Sequence, residues 1–283
     1  MEEMKKETMK VVVFPETVEE WNALSQEERF RLLFHDTWLG EVSRDNLWYH
    51  YTTVDALSSM ITKDGVEMWA TQCQFLNDRN EIMEGVRFLK PLIEGILEKN
   101  DISDEKLAKR YINSTFLSCL TTAKESIPMW NTYAQLGNGI ALGFQPHIPT
   151  SDDYKVLKVI YRNAENESKW IRETSKIAES TNSPDKVRLL SNIAYMPMAM
   201  KNKAFEYEDE IRLICESNEV HFRSRKGLLV PYKKFVINSC YLREIIIGPA
   251  NDADRMQYAI ELLLKKFNLN DVKIKRSSVP LRN

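Results

Sequence analysis

Short apolar segments rich in β-branched and aromatic residues recur along this chain at irregular intervals. Strand-like runs fall at 47–51, 67–71, 115–120, 139–144, 154–161, 211–216, 227–231, 241–247 and 272–276. Helical periodicity marks 17–36, 54–61, 77–98, 102–111, 129–136, 164–202 and 255–267, with a break near Asn182-Ser183-Pro184. Strands and helices follow no regular βαβ repeat, so the pattern predicts a mixed sheet in an α+β fold. The expected organisation is an N-terminal helical extension, 1–46, and one α+β domain, 47–283, with a helical insertion around 162–202.

Composition removes several function classes. Hydrophobic residues make up 43% and charged residues 28% of 283, as in ordinary globular chains. The 9 glycines include no G-x-G-x-x-G and no G-x-x-x-x-G-K-[ST], so the glycine-rich phosphate loops are absent. A net charge of -2 argues against bulk attraction to nucleic acid and leaves room for a local basic patch. The four cysteines, at 73, 119, 215 and 240, form no C-x-x-C pair and sit in apolar settings, which predicts buried free thiols in a reducing cytoplasm. Histidines 35, 50, 147 and 221 have no metal-ligand spacing, so no metal is expected. No run of 18 apolar residues and no leader-like h-region is present, so a cytoplasmic protein without a membrane span is expected.

Three clusters carry residues suited to chemistry. Trp48-Tyr49-His50-Tyr51-Thr52 sets an imidazole near a strand end, able either to bond a ligand hydroxyl or to be satisfied by nearby backbone. In Met129-Trp130-x-x-Tyr133-Ala134 two aromatics stand three apart on one helix face, as a stacking wall for a planar ring or as a core contact. In Lys203 to Arg212 a charged run enters an apolar strand. Alternation puts Glu208, Glu210 and Arg212 on one side if the strand starts early. A carboxylate kept ionised by Arg suits stabilisation of developing positive charge; a solvated charged loop is the plainer alternative. His221-Phe222-Arg223-Ser224-Arg225-Lys226 reads as a basic loop able to contact phosphates.

In this order the motifs resemble a bacterial family, the domain of unknown function 2971 family. The carriers are His50-Tyr51-Thr52, Leu76-Asn77-Asp78-x-x-Glu81, Met129-Trp130-x-x-Tyr133-Ala134 and Lys203 to Arg212, over about 47–250. A weaker resemblance, through His50, Thr52, Leu57, Met60-Ile61 and Gly65, is to ADP-ribosyltransferase domains. It implies a mostly antiparallel, split β-sheet flanked by helices, with NAD as substrate. It implies that His50 holds the nicotinamide ribose, Tyr133 or Trp130 stacks on nicotinamide, Glu210 steadies the oxocarbenium ion and Glu208 orients the acceptor. The resulting catalytic candidates are Glu210, Glu208 and His50. The NAD-binding candidates are His50, Tyr51, Thr52, Asn77, Trp130, Tyr133 and Arg212.

The expected function is therefore an NAD-consuming ADP-ribosyltransferase or NAD glycohydrolase, a toxin-like effector in bacterial anti-phage defence. Its acceptor, protein or nucleic acid, is left open. Two alternatives stand beside it. One is a non-catalytic nucleotide- or protein-binding module of the same fold, with Glu208 and Glu210 tied up by Arg212 and Lys203. The other is a metal-dependent nuclease in which Asp78 and Glu81 join Glu208 and Glu210.

Overall fold

The computed structural model describes residues 46–76, 82–83, 85–86, 106, 109, 112–146, 148, 153–162, 196–215, 218–225 and 227–280. Its strands are β1 (Trp48–Thr52), β2 (Val66–Gln72), β3 (Phe116–Thr121), β4 (Ile140–Phe144), β5 (Tyr154–Lys158), β6 (Ile160–Arg162), β7 (Met200–Asn202), β8 (Glu210–Cys215), β9 (His221–Arg225), β10 (Leu228–Ile237), β11 (Leu242–Ile247) and β12 (Lys273–Arg276). The helices whose bounds are described are α1 (Val54–Met60), α2 (Ile127–Tyr133), α3 (Met196–Ala199) and α4 (Ala253–Lys266). The architecture is α+β: one large, mostly antiparallel open sheet with helices against it, as the alternation of short strands and helices predicts.

The sheet runs β12-β11-β4-β1-β3-β2-β10-β9, with β8 also on β3 and β5 on β8. Among the described strands only β11 and β12 are parallel within it. β3 is the joint. Along one edge it pairs fully with β8, from Leu117↔Ile214 to Thr121↔Glu210. Its other edge is shared: β2 takes Phe116 and Leu117, while β1 meets it at one register pair, Tyr49↔Thr121. The half containing β1, β4, β11 and β12 is thus tied to the other half by one rung of ladder.

The two faces of the sheet differ in kind. On the first face lie Trp48, Met68, Ala70, Leu120, Ile140, Leu142, Ile211, Leu213, Phe235, Ile245 and Ile247, against Leu57 and Met60 of α1 and Ile260 and Leu264 of α4. Each fully buried aliphatic here contributes about 1.5–3 kcal/mol. The helices start where short polar side chains can cap them: Thr53 Oγ1 accepts from Ala56 N–H at 3.2 Å, and Asp252 does the same for Arg255 N–H at 3.2 Å. On the second face Met129, Trp130 and Ala134 pack around Tyr49, Tyr51, Ala141 and Ile246. Strand alternation also gives this face buried Leu117 and Ile214 and, among them, the polar or charged Thr121, Cys119, Glu210, Arg212 and Thr71, with Trp69 and Tyr232 beyond.

Several expectations change. Residues 221–225 form a strand, β9, because their polar backbone pairs along β10 from Leu228↔Arg225 to Tyr232↔His221. The hairpin turns at Gly227, whose φ of +76° favours glycine. The expected 227–231 strand extends to Ile237 because β2 pairs with its second half. The expected 154–161 strand divides at Val159, whose N–H bonds Glu210 O. The end of the expected 164–202 helical stretch is α3 followed by β7, which runs parallel to β6 from Ile160↔Met200. The proposed helix at 17–36, the body of the 162–202 insertion and nearly all of the 1–46 extension lie outside the described residues. Of 77–98, only Ile82, Met83, Gly85 and Val86 are described, and these are helical.

Candidate functional site

The sharpest sequence cluster folds into a buried charge network on the second face. Asn202 caps a 3-10 turn, Lys203–Glu208, by accepting from Ala204 N–H. Asp209 then adopts a left-handed conformation, φ 39°, and its side chain is anchored by Thr122 and Lys158. This kink separates Glu208 from β8 yet leaves both glutamates pointing to one cation. Lys201 Nζ donates to Glu208 Oε2 at 2.5 Å and to Glu210 Oε2 at 2.8 Å. Arg212 Nε donates to Glu210 Oε1 at 3.0 Å and its Nη2 to Oε2 at 3.2 Å, while Nη1 bonds Met198 O. Tyr133 Oη donates to Glu208 Oε1 at 2.8 Å. Tyr161 Oη accepts from Glu210 N–H at 2.8 Å.

All four charged groups are buried: Lys201 8%, Glu208 4%, Glu210 3% and Arg212 1% exposed. Burial alone would raise the Glu210 pKa, but the charges of Arg212 and then Lys201 outweigh it and hold the carboxyl at about 2. The Cys119 thiol also bonds Glu210; burial first, then the Glu210 charge, push its pKa well up, so it stays a thiol. Burial and the Glu208 carboxylate likewise raise the Tyr133 hydroxyl, which remains a donor at neutral pH.

The sequence-predicted residues divide by face. Glu208, Glu210, Arg212 and Tyr133 meet in the network. Tyr51 is on the same face, its pKa pushed up to about 12, mainly by burial. Trp130 has no exposure and meets Tyr51 edge-on at 4.8 Å and 81°, so it is a core ring rather than a stacking wall. Alternation puts His50 on the opposite face from Glu210, next to Trp48 in register with Leu142. Its ring turns into the gap beside the single β1–β3 rung, where Nδ1 lies 2.8 Å from Cys119 O. Burial and the Arg223 charge lower its pKa. Thr52 is buried at the end of β1. Asn77, Asp78 and Glu81 lie outside the described residues.

Lys201, Tyr161 and Cys119 are network members that sequence reasoning missed. Lys203, nearer the acidic run, is exposed, and Lys201 takes the bridging place. All four cysteines are free, with Cys73 and Cys215 buried, Cys119 half-buried and Cys240 exposed, so burial holds only for part of the set. A smaller cluster lies along the same face: buried Glu244 accepts from Tyr49 Oη at 2.9 Å, Lys124 at 3.0 Å and Lys275 at 2.6 Å. Among the described residues no group of three or more His, Cys, Asp and Glu is placed to hold a metal ion. No described helix is long and apolar enough to cross a membrane.

No curated protein and no solved structure matches the chain. A family model does, and it covers the segment from α2 to β8 that contributes Tyr133, Tyr161, Lys201, Glu208, Glu210 and Arg212. The motifs around His50 and Leu76 lie before it. Residues 129–213 match the family described as Protein of unknown function (DUF2971).

Proposed function

We propose that the protein is an NAD-consuming enzyme of the ADP-ribosyltransferase or NAD glycohydrolase kind, with Glu210 as its charge-stabilising carboxylate. The supporting observation is the Lys201 ammonium held between Glu208 and Glu210, which marks a place built to accept positive charge. Breaking the bond between ribose C1′ and the nicotinamide nitrogen sends the electron pair to nicotinamide, which leaves neutral, and leaves an oxocarbenium ion. A fixed, ionised carboxylate favours that ion over the ground state. Lys201 must then withdraw from the carboxylates, and Glu208, oriented by Tyr133, takes the proton of the nucleophile that attacks C1′. The proposed setting is cytoplasmic, as a toxin-like effector in anti-phage defence.

A second reading has its own support. Both glutamates are neutralised, by Lys201 and Arg212, and His50 is on the other face of the sheet. This suits a non-catalytic module that binds a nucleotide or a protein. Nicotinamide release from NAD, with and without bacterial lysate, separates the two. Release by wild type and its loss in Glu210→Gln, with the fold checked by thermal melting, supports the enzyme. NAD binding by calorimetry without any release supports the module.

A further inference from the structure

At the far end of the second face, β2, β9 and β10 assemble a ladder of rings and cations that the charge network does not use. Register places Trp69, Thr71, Tyr232, Lys234, His221, Arg223 and Arg225 on one face. Trp69 and Tyr232 lie 4.8 Å apart at 33°, and His221 follows Tyr232 at 5.5 Å and 35°. The Arg223 guanidinium lies over both larger rings, 5.3 Å from each centroid. Arg223 Nη2 donates to Thr71 Oγ1 at 2.7 Å; its Nε is buried without a partner, and no described carboxylate pairs with it. Arg225 is exposed at the sheet edge. The cations on this face are Arg223, Arg225 and Lys234; Lys234 pairs with Glu67 at 3.0 Å, which leaves Arg223 and Arg225 as its excess positive charge.

We propose that this face binds single-stranded nucleic acid, with Arg223 and Arg225 on the phosphodiester backbone and bases stacking on the Arg223 plane and on the half-buried Trp69 and His221 rings, which the buried Tyr232 ring supports from beneath. Local positive charge supplies attraction to phosphates. Rings and a flat guanidinium supply stacking that needs unpaired bases, which a duplex does not offer. An acidic peptide would use the cations and leave the rings idle. The partly used guanidinium is the group most in want of an anion, since no described carboxylate meets its outer donors. The proposal does not depend on the chemistry at Glu210, and its test contains no NAD.

The test is fluorescence anisotropy with labelled 12-nucleotide oligo-dT and oligo-U, a 12-base-pair duplex, and polyglutamate as competitor. Wild type is expected to bind both single strands in low salt, more weakly as salt rises, and to prefer them to the duplex. Arg225→Ala, at an exposed edge position, and Arg223→Lys, which keeps the charge and loses the plane, are each expected to weaken binding about tenfold. Thermal melting of each variant confirms that it is folded. No binding by wild type, equal affinity for duplex, full displacement by polyglutamate at matched charge, or unchanged affinity in both folded variants would overturn it.

Discussion

Arg212 grips Glu210 two residues back on the same strand, with Nε 3.0 Å from Oε1 and Nη2 3.2 Å from Oε2. Residues i and i+2 of a strand share a face, so β8 by itself brings this pair together. Neither side chain reaches water, and the pairing is the condition on which the carboxylate can be buried at all.

Losing one partner of such a pair is therefore costly. Arg212→Met is expected to lower stability by about 3–5 kcal/mol, because it leaves two buried carboxylates, Glu208 and Glu210, to share the single charge of Lys201. The double variant Glu210→Gln with Arg212→Met is expected to lose less than the two singles summed. Urea unfolding midpoints check both. A loss below about 1 kcal/mol in the single variant, the size typical of an exposed pair, would mean that the strand opens to solvent.

The direction of the Glu210 shift fixes its pH dependence. A pKa of about 2, below the ordinary 4.5, means that folding favours the ionised form. Its contribution is full above pH 4.5 and is lost as the pH falls towards 2. Stability measured from pH 7 to 5 should therefore show no loss from this group, and Glu210→Gln should flatten the decline below pH 4.5. Nicotinamide release, under the enzymatic reading, should have no acid limb from Glu210 between pH 5 and 8. An acid limb in that range in wild-type release would contradict the assignment.

Tyr133→Phe removes the 2.8 Å bond to Glu208 and keeps the ring. The expected stability loss is about 1 kcal/mol. If Glu208 takes the acceptor's proton, turnover should fall about tenfold or more, beyond what that stability change explains. Steady-state release assays at full folding decide it, and equal turnover would leave Tyr133 as a structural donor.

Gly143 has no room to grow. A Cβ there would lie 2.7 Å from Glu244 Cγ and 3.0 Å from Tyr49 Cε1. Gly143→Ala is expected to displace the Glu244 carboxylate from Tyr49, Lys124 and Lys275 and to cost about 1–3 kcal/mol. Thermal denaturation measures the cost, and an unchanged midpoint would show that Glu244 can move freely.

Much of the fold was legible because short apolar runs such as Trp48-Tyr49 and Ile245-Ile246-Ile247 have few places to go except a sheet. β9 was not, because His221-Phe222-Arg223-Ser224-Arg225 alternates without an apolar face, and its strand character comes from pairing with β10. In the site, Glu208, Glu210, Arg212 and Tyr133 were legible from spacing, since strand and helix periods act locally. Lys201 was hidden at the end of a stretch that reads as helix, and only the pairing of β7 with β6 carries it to the glutamates. His50 shows the other limit: a motif gives the residue type, while the face it takes depends on the register of Tyr49 with Thr121.

That register pair also bears on how the molecule opens. With β1 and β3 sharing one rung, the backbone bonds of β1, β4, β11 and β12 are expected to loosen before those of β2, β3, β8 and β10, held back only by the apolar core that both groups share. Amide hydrogens of the two sets should then exchange with two distinct opening free energies rather than one, and the seam between them would be the first place where solvent reaches His50.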